Sequence, residues 1–92
     1  MTANDFNPIV RMLPKYFTSH MFIKVYIREN ESEYINNLKP KKGGFRELNS
    51  KIARILERNQ EKLQIQKGET KELDENIKGY FSENANWIRT DI

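Results

Sequence analysis

The chain has 92 residues, with 16 Lys and Arg against 13 Asp and Glu, one His, no Cys and a formal charge of +3. That length holds one domain with a single modest core, which excludes a two-domain enzyme that closes around its substrate. The missing Cys excludes disulfide frameworks, thiolate catalysis, iron–sulfur clusters and every zinc site that needs a thiolate.

With 37% hydrophobic and 32% charged residues, the composition is that of a polar globular chain. Residues 1–8 lack the basic n-region and apolar h-region of a secretory signal. No apolar stretch approaches the ~20 residues of a membrane span. The expectation is one cytoplasmic domain over residues 1–92, mainly helical and of α+β class, with no membrane contact, no metal and no cofactor.

In chain order, Asn7 reads as an N-cap with Pro8 at N1, where a missing N–H costs nothing. Ile9, Val10, Leu13 and Phe17 form one stripe, and Pro14 predicts a kink or an early stop. Over residues 21–28 the period is two. Met21, Ile23, Val25 and Ile27 alternate with Phe22, Lys24, Tyr26 and Arg28, which predicts a strand needing a pairing partner in this chain or in a second copy.

Asn30 caps a short predicted helix through Leu38, with Glu31 and Glu33 in the first turn, where the helix dipole favours negative charge. Lys39, Pro40, Lys41, Lys42, Gly43 and Gly44 then break any helix. From Phe45 to Asn59 an amphipathic helix is expected. Leu48, Ile52, Ile55 and Leu56 lie within an arc of about 100°. The opposite side carries Glu47, Ser50, Lys51, Arg54, Glu57 and Arg58.

Beyond Asn59 two readings compete. Leu63 continues the helical stripe, with Gly68 as a left-handed C′ residue and Thr70 capping a following helix. Alternatively residues 62–67 alternate as a strand, and Lys67, Gly68, Glu69 and Thr70 turn it back towards Leu73 as a β-hairpin, the reading slightly favoured. In either case Leu73, Ile77, Tyr80 and Phe81 read as a later helical face, and Trp87 with Ile88 as a final apolar anchor.

Charge is concentrated. Residues 39–67 hold nine basic and three acidic side chains, whereas the acidic last third, 68–92, holds three basic and six acidic ones. A basic patch of this kind suits a phosphate backbone, although a solvated lysine-rich surface gives the same count. The lysines at 39, 41 and 42 precede a helix N-terminus, but the G-x-x-x-x-G-K-[ST] spacing of a nucleotide-binding loop is absent. Phe22, Lys24, Tyr26 and Arg28 would offer a stacking face for unpaired bases if it were open, and a core face if a helix covers it.

His20 is the only His, stands beside Thr18 and Ser19, and has no carboxylate at a catalytic spacing. It reads as a surface or capping residue. Glu31/Glu33 and Asp74/Glu75 fit helix first turns and not a calcium loop. Trp87 and Ile88 read either as a docking motif or as an apolar lid on the core.

The order helix, strand, helix, helix and β-hairpin over about Pro8 to Leu73 resembles the winged helix-turn-helix family. Glu31 to Leu38 would be the supporting helix and Phe45 to Asn59 the recognition helix. No family-specific motif accompanies the resemblance, and the connection through residues 39–44 exceeds the usual three-to-four-residue turn. The alternative fold is a helical hairpin with one strand that pairs in a dimer.

Two functions are therefore expected. The first is a non-enzymatic nucleic-acid-binding protein, most simply for duplex DNA. Lys39, Lys41, Lys42, Lys51 and Arg58 would hold phosphates, Arg46, Ser50 and Arg54 would approach base edges, and Lys67 would lie near a wing tip. The second is a protein-interaction module, such as an adaptor, an inhibitor or an obligate dimer. It would use an exposed strand edge with Tyr26, Tyr80, Phe81 and Trp87 as partner-binding residues.

Overall fold

The computed structural model describes residues 1–37 and 44–92, and for Phe45 the backbone alone. Leu38, Lys39, Pro40, Lys41, Lys42 and Gly43 lie outside the described residues. So do the phosphate contacts expected of their three lysines. The described residues form five helices and a three-stranded antiparallel sheet, an α+β fold.

Helix α1 spans Ala3–Met12, five residues earlier than the Asn7–Pro8 signal suggests. The competing cap is Thr2, whose backbone N–H donates to the Asp5 carboxylate at 2.9 Å. Pro8 consequently falls in the second turn. Pro14 does stop the helix, because the residue before a proline avoids α geometry, and Leu13 is extended at φ −90° and ψ 156°. Strand β1, Tyr16–Thr18, follows at once and takes Phe17 out of the expected α1 stripe.

The strand expected over residues 21–28 is a helix: α2 spans Ser19–Glu29. Six of the seven residues from Met21 to Ile27 are apolar, so this segment satisfies a period of two and a period of 3.6 equally. The end signal decides. Thr18 is an extended N-cap whose Oγ1 accepts from the Met21 N–H at 3.1 Å. Phe22, Ile23 and Tyr26 then face inward while Lys24 and Arg28 are exposed. No unpaired strand remains here to recruit a second copy, so neither the stacking face nor a pairing through this segment survives.

Helix α3, Glu31–Asn37, agrees with the expected short helix. Helix α4, Gly44–Arg58, agrees with the amphipathic one: Leu48, Ile52 and Leu56 are buried and Ile55 half-buried. A single turn, α5 (Gln60–Leu63), ends on Gln64, which takes the left-handed conformation at φ 55° that the less favoured, helical reading gave to Gly68.

The rest is one long hairpin, β2 (Ile65–Glu75) and β3 (Phe81–Arg89). Its turn is at residues 76–80, not at 67–70. Asn76 Oδ1 accepts from the N–H groups of Lys78 and Tyr80 at 2.9 and 3.1 Å, and Gly79 supplies φ 84°. At Gly68 the pairing is merely interrupted by a register shift between Lys67 and Lys71. An added Cβ there would stand 3.0 Å from the Asn86 Cβ. Leu73 and Phe81 are therefore strand residues and Ile77 and Tyr80 turn residues, instead of one helical face.

The sheet order is β1-β3-β2, with Phe17 opposite Trp87 and Lys67 on its other side. Phe6, Phe22 and Tyr26 form an aromatic cluster between α1 and α2, the closest ring centroids 4.8 Å apart. Trp87 closes the core from the sheet side and donates from Nε1 to the Ser19 Oγ at 2.8 Å. Tyr26 and Trp87, expected at a partner surface, are both almost completely buried. Aromatic size makes them core residues, and only Tyr80 and Phe81 of that set reach solvent. No helix among the described residues is long and apolar enough to cross a membrane.

Candidate nucleic-acid interface

Helix α4 is held by its apolar stripe, so its remaining side chains are aimed outward by the 100° step between residues. Arg46, Ser50, Lys51, Arg54 and Arg58 are all exposed, as are Glu47 and Glu57. Ser50 and Arg54 lie nearly opposite the buried Leu48–Ile52–Leu56 stripe. Arg46 lies on one flank and Lys51 with Arg58 on the other.

The Arg46 flank borders a groove of about 570 Å³ between α4 and the hairpin. Arg46, Asn49, Ser50 and Ala53 form one wall, and Lys71, Lys78, Glu83 and Asn84 contribute to the other. The opposite flank opens onto a cleft of about 210 Å³ beside the end of α3, bordered by Glu47, Lys51 and Arg54. The residues expected to read bases thus follow one helix surface, and two of them, Arg46 and Ser50, also border the groove beside the hairpin.

His20 forms the end of the first groove. Its backbone N–H donates to Asn84 Oδ1 at 2.8 Å, and its ring Nδ1 lies 3.2 Å from the Asp74 carbonyl oxygen. It is not the cap that the sequence suggested: Thr18 caps α2, and His20 lies inside the first turn. Beside it the Thr18 hydroxyl donates to the Asp74 carboxylate at 2.7 Å. That bond is the main reason the Asp74 carboxyl lies below its usual range, with the Glu75 N–H, Lys24 and His20 adding to it against a partial loss of hydration. These bonds anchor the hairpin to α2 and thereby set the width of the groove.

Lys67 is not near the hairpin tip. It is the third residue of β2, roughly 25 Å of strand away from Glu75 at about 3.3 Å per residue. Its Nζ lies 3.3 Å from Glu57 Oε1 and its N–H donates to Gln60 Oε1 at 2.9 Å, so it joins the sheet to α4 and α5. The pair also offsets one of the two carboxylates on the outer face of α4.

Lys71 and Lys78, which do face the groove, were hidden in the sequence by the acidic composition of the last third. Asn49, Ala53 and Asn84 carry no charge, and only the fold places them there.

Arg11 and Arg89 have other work. Both approach Asp91, at 2.5 and 2.6 Å, and Arg89 also donates to the Leu13 carbonyl at 2.7 Å. Arg89 first, and then Arg11, hold the Asp91 carboxyl far below the ordinary carboxylate range. This cluster ties the end of β3 to the end of α1.

Among the described residues no group of three or more His, Asp or Glu side chains is placed to hold a metal ion. Comparison with known proteins gives no match to a family model, to a curated protein or to a solved structure.

Proposed function

We propose that the chain is a small non-enzymatic nucleic-acid-binding protein that holds duplex DNA against α4, in a winged helix-turn-helix-like arrangement. The order α1-β1-α2-α3-α4-β2-β3 (with the single turn α5 before β2) and the sheet order β1-β3-β2 support that arrangement. Helix α2, which packs on both α1 and α4, takes the supporting position expected of α3. The separation of α2 from α4 by α3 and residues 38–43 is longer than a simple helix-turn-helix turn.

The observation that carries the reading is the row Arg46, Ser50 and Arg54 at i, i+4 and i+8 on the exposed face of α4. Eight residues at 1.5 Å each make a row of about 12 Å, which spans three to four base pairs at ~3.4 Å, on a helix of a width the major groove admits. Arg46 and Arg54 have the donor geometry for guanine edges. Lys51 and Arg58 on the flank suit phosphates. Glu57 is offset by Lys67, and Glu47 borders a cleft that it shares with Lys51 and Arg54.

The test is retention of a random-sequence duplex at about 50 mM salt, where counterion release favours binding. Arg54→Glu and Arg46→Glu are expected to weaken retention at least about tenfold. Lys15→Glu, in the α1–β1 connection and outside the α4 grooves, is expected to change it less than about twofold. Equal effects of all three substitutions would contradict the assignment of α4.

A further inference from the structure

The hairpin beyond the groove carries a surface of different chemistry. Leu73, Tyr80 and Phe81 are 64%, 70% and 67% exposed, among the most exposed large hydrophobic side chains of the described residues. In the antiparallel register Leu73 lies opposite Glu83, and Glu75 lies opposite Phe81. Directly opposed residues share one face of a sheet, so two apolar and two acidic side chains alternate there as a checkerboard, with Lys71 and Ala85 as the next pair along the same face, towards the groove beside α4.

Glu75 also borders a shallow groove of about 530 Å³ whose apolar walls are Ile27 and Ile35 on the helical side and Ile77 at the hairpin tip. The two regions therefore adjoin at one carboxylate.

Charge decides what such a surface accepts. A phosphate backbone would meet Glu75 and Glu83. A second copy applied through the same face would bring four carboxylates together, and like charges brought into an interface are costly. A partner with apolar side chains flanked by Lys or Arg suffers neither penalty. It would bury the exposed leucine and phenylalanine and pair with the glutamates.

We propose that the hairpin face formed by Leu73, Glu75, Phe81 and Glu83 is a docking surface for a basic, amphipathic segment of another protein. Glu83 also borders the groove beside α4, so this acidic, apolar surface adjoins the cationic one at that carboxylate, and the two take different partners.

A synthetic amphipathic peptide of leucine and lysine is the probe, titrated into the full chain by calorimetry, with the same peptide carrying Glu for Lys as the control. Saturable binding of the basic peptide is expected, and none of the acidic one. Leu73→Ser/Phe81→Ser and, separately, Glu75→Lys should each weaken it at least about tenfold. All of these positions are exposed, and an unchanged circular dichroism spectrum confirms that the variants fold.

Equal binding of both peptides, or full affinity in both variants, overturns the proposal. So does concentration-dependent dimerisation that Leu73→Ser/Phe81→Ser abolishes, which would assign the face to a second copy. A loss of duplex retention in that variant with peptide binding intact would assign it to nucleic acid. Peptide binding without any duplex retention would sink the α4 reading and leave this one standing.

Discussion

The Thr18 hydroxyl donates to the Asp74 carboxylate at 2.7 Å across 56 residues of chain, joining the N-cap of α2 to the far half of β2. The same oxygen accepts from the Met21 N–H, so one side chain starts the helix and anchors the hairpin. An unfolded aspartate titrates near about 3.9, and the folded Asp74 lies lower because its charged form is hydrogen-bonded. A carboxyl depressed on folding stabilises the protein above its unfolded pKa, and that contribution disappears as pH falls through the folded value. Asp74→Ala should therefore be less stable than the parent by a constant margin from pH 7 to about 5, with the margin closing below about pH 4. Urea unfolding across this range reads the margin, and Asp91 cancels because both proteins retain it. A margin that stays constant down to pH 2 would show that the bond contributes nothing to the acid limb.

The only tryptophan reports on the core. Trp87 is 1% exposed and its indole N–H satisfies the buried Ser19 hydroxyl. Trp87→Phe leaves a void and strands that hydroxyl, so a loss of about 2 kcal/mol or more is expected in chemical denaturation. In the parent protein its fluorescence should be blue-shifted and resistant to acrylamide. Emission as red as that of free tryptophan would contradict the burial of this residue.

Gln64 ends α5 with φ 55°, a conformation costing an L-residue about 1–2 kcal/mol that glycine adopts freely. Its side chain is exposed, and the carbonyl that accepts from the Thr90 N–H belongs to the backbone, which a substitution keeps. Gln64→Gly should raise stability by about 0.5–1 kcal/mol, after allowing for the greater freedom of glycine in the unfolded chain. Thermal unfolding measures it, and a clear loss of stability would show that the left-handed turn is not the preferred conformation in solution.

Legibility in the sequence followed the clarity of the period. Leu48, Ile52 and Leu56 admit one helical face and little else, and α4 lies within a residue of the expected bounds. The unbroken apolar run around Phe22 and Ile23 admits two periods, and the deciding signal was polar: Thr18, with a hydroxyl placed to cap. In the hairpin, Gly68 attracted the turn because glycine commonly marks one. It is needed there for the close approach of Asn86, while Asn76 and Gly79 make the turn. The exposed row on α4 was readable because it is the complement of the buried stripe. The opposite wall of its groove was not, since Lys71, Lys78 and Asn84 reach it only through the hairpin, 13 or more residues beyond the end of α4.

The central claim is that cations on α4 meet a phosphate backbone, and the salt dependence of duplex affinity tests it most directly. Phosphate contacts at Lys51 and Arg58 predict that log K falls with log salt with a slope of about −2 or steeper, and that Lys51→Glu makes the slope shallower by about one. A slope near zero, or a slope unchanged by Lys51→Glu, would contradict it.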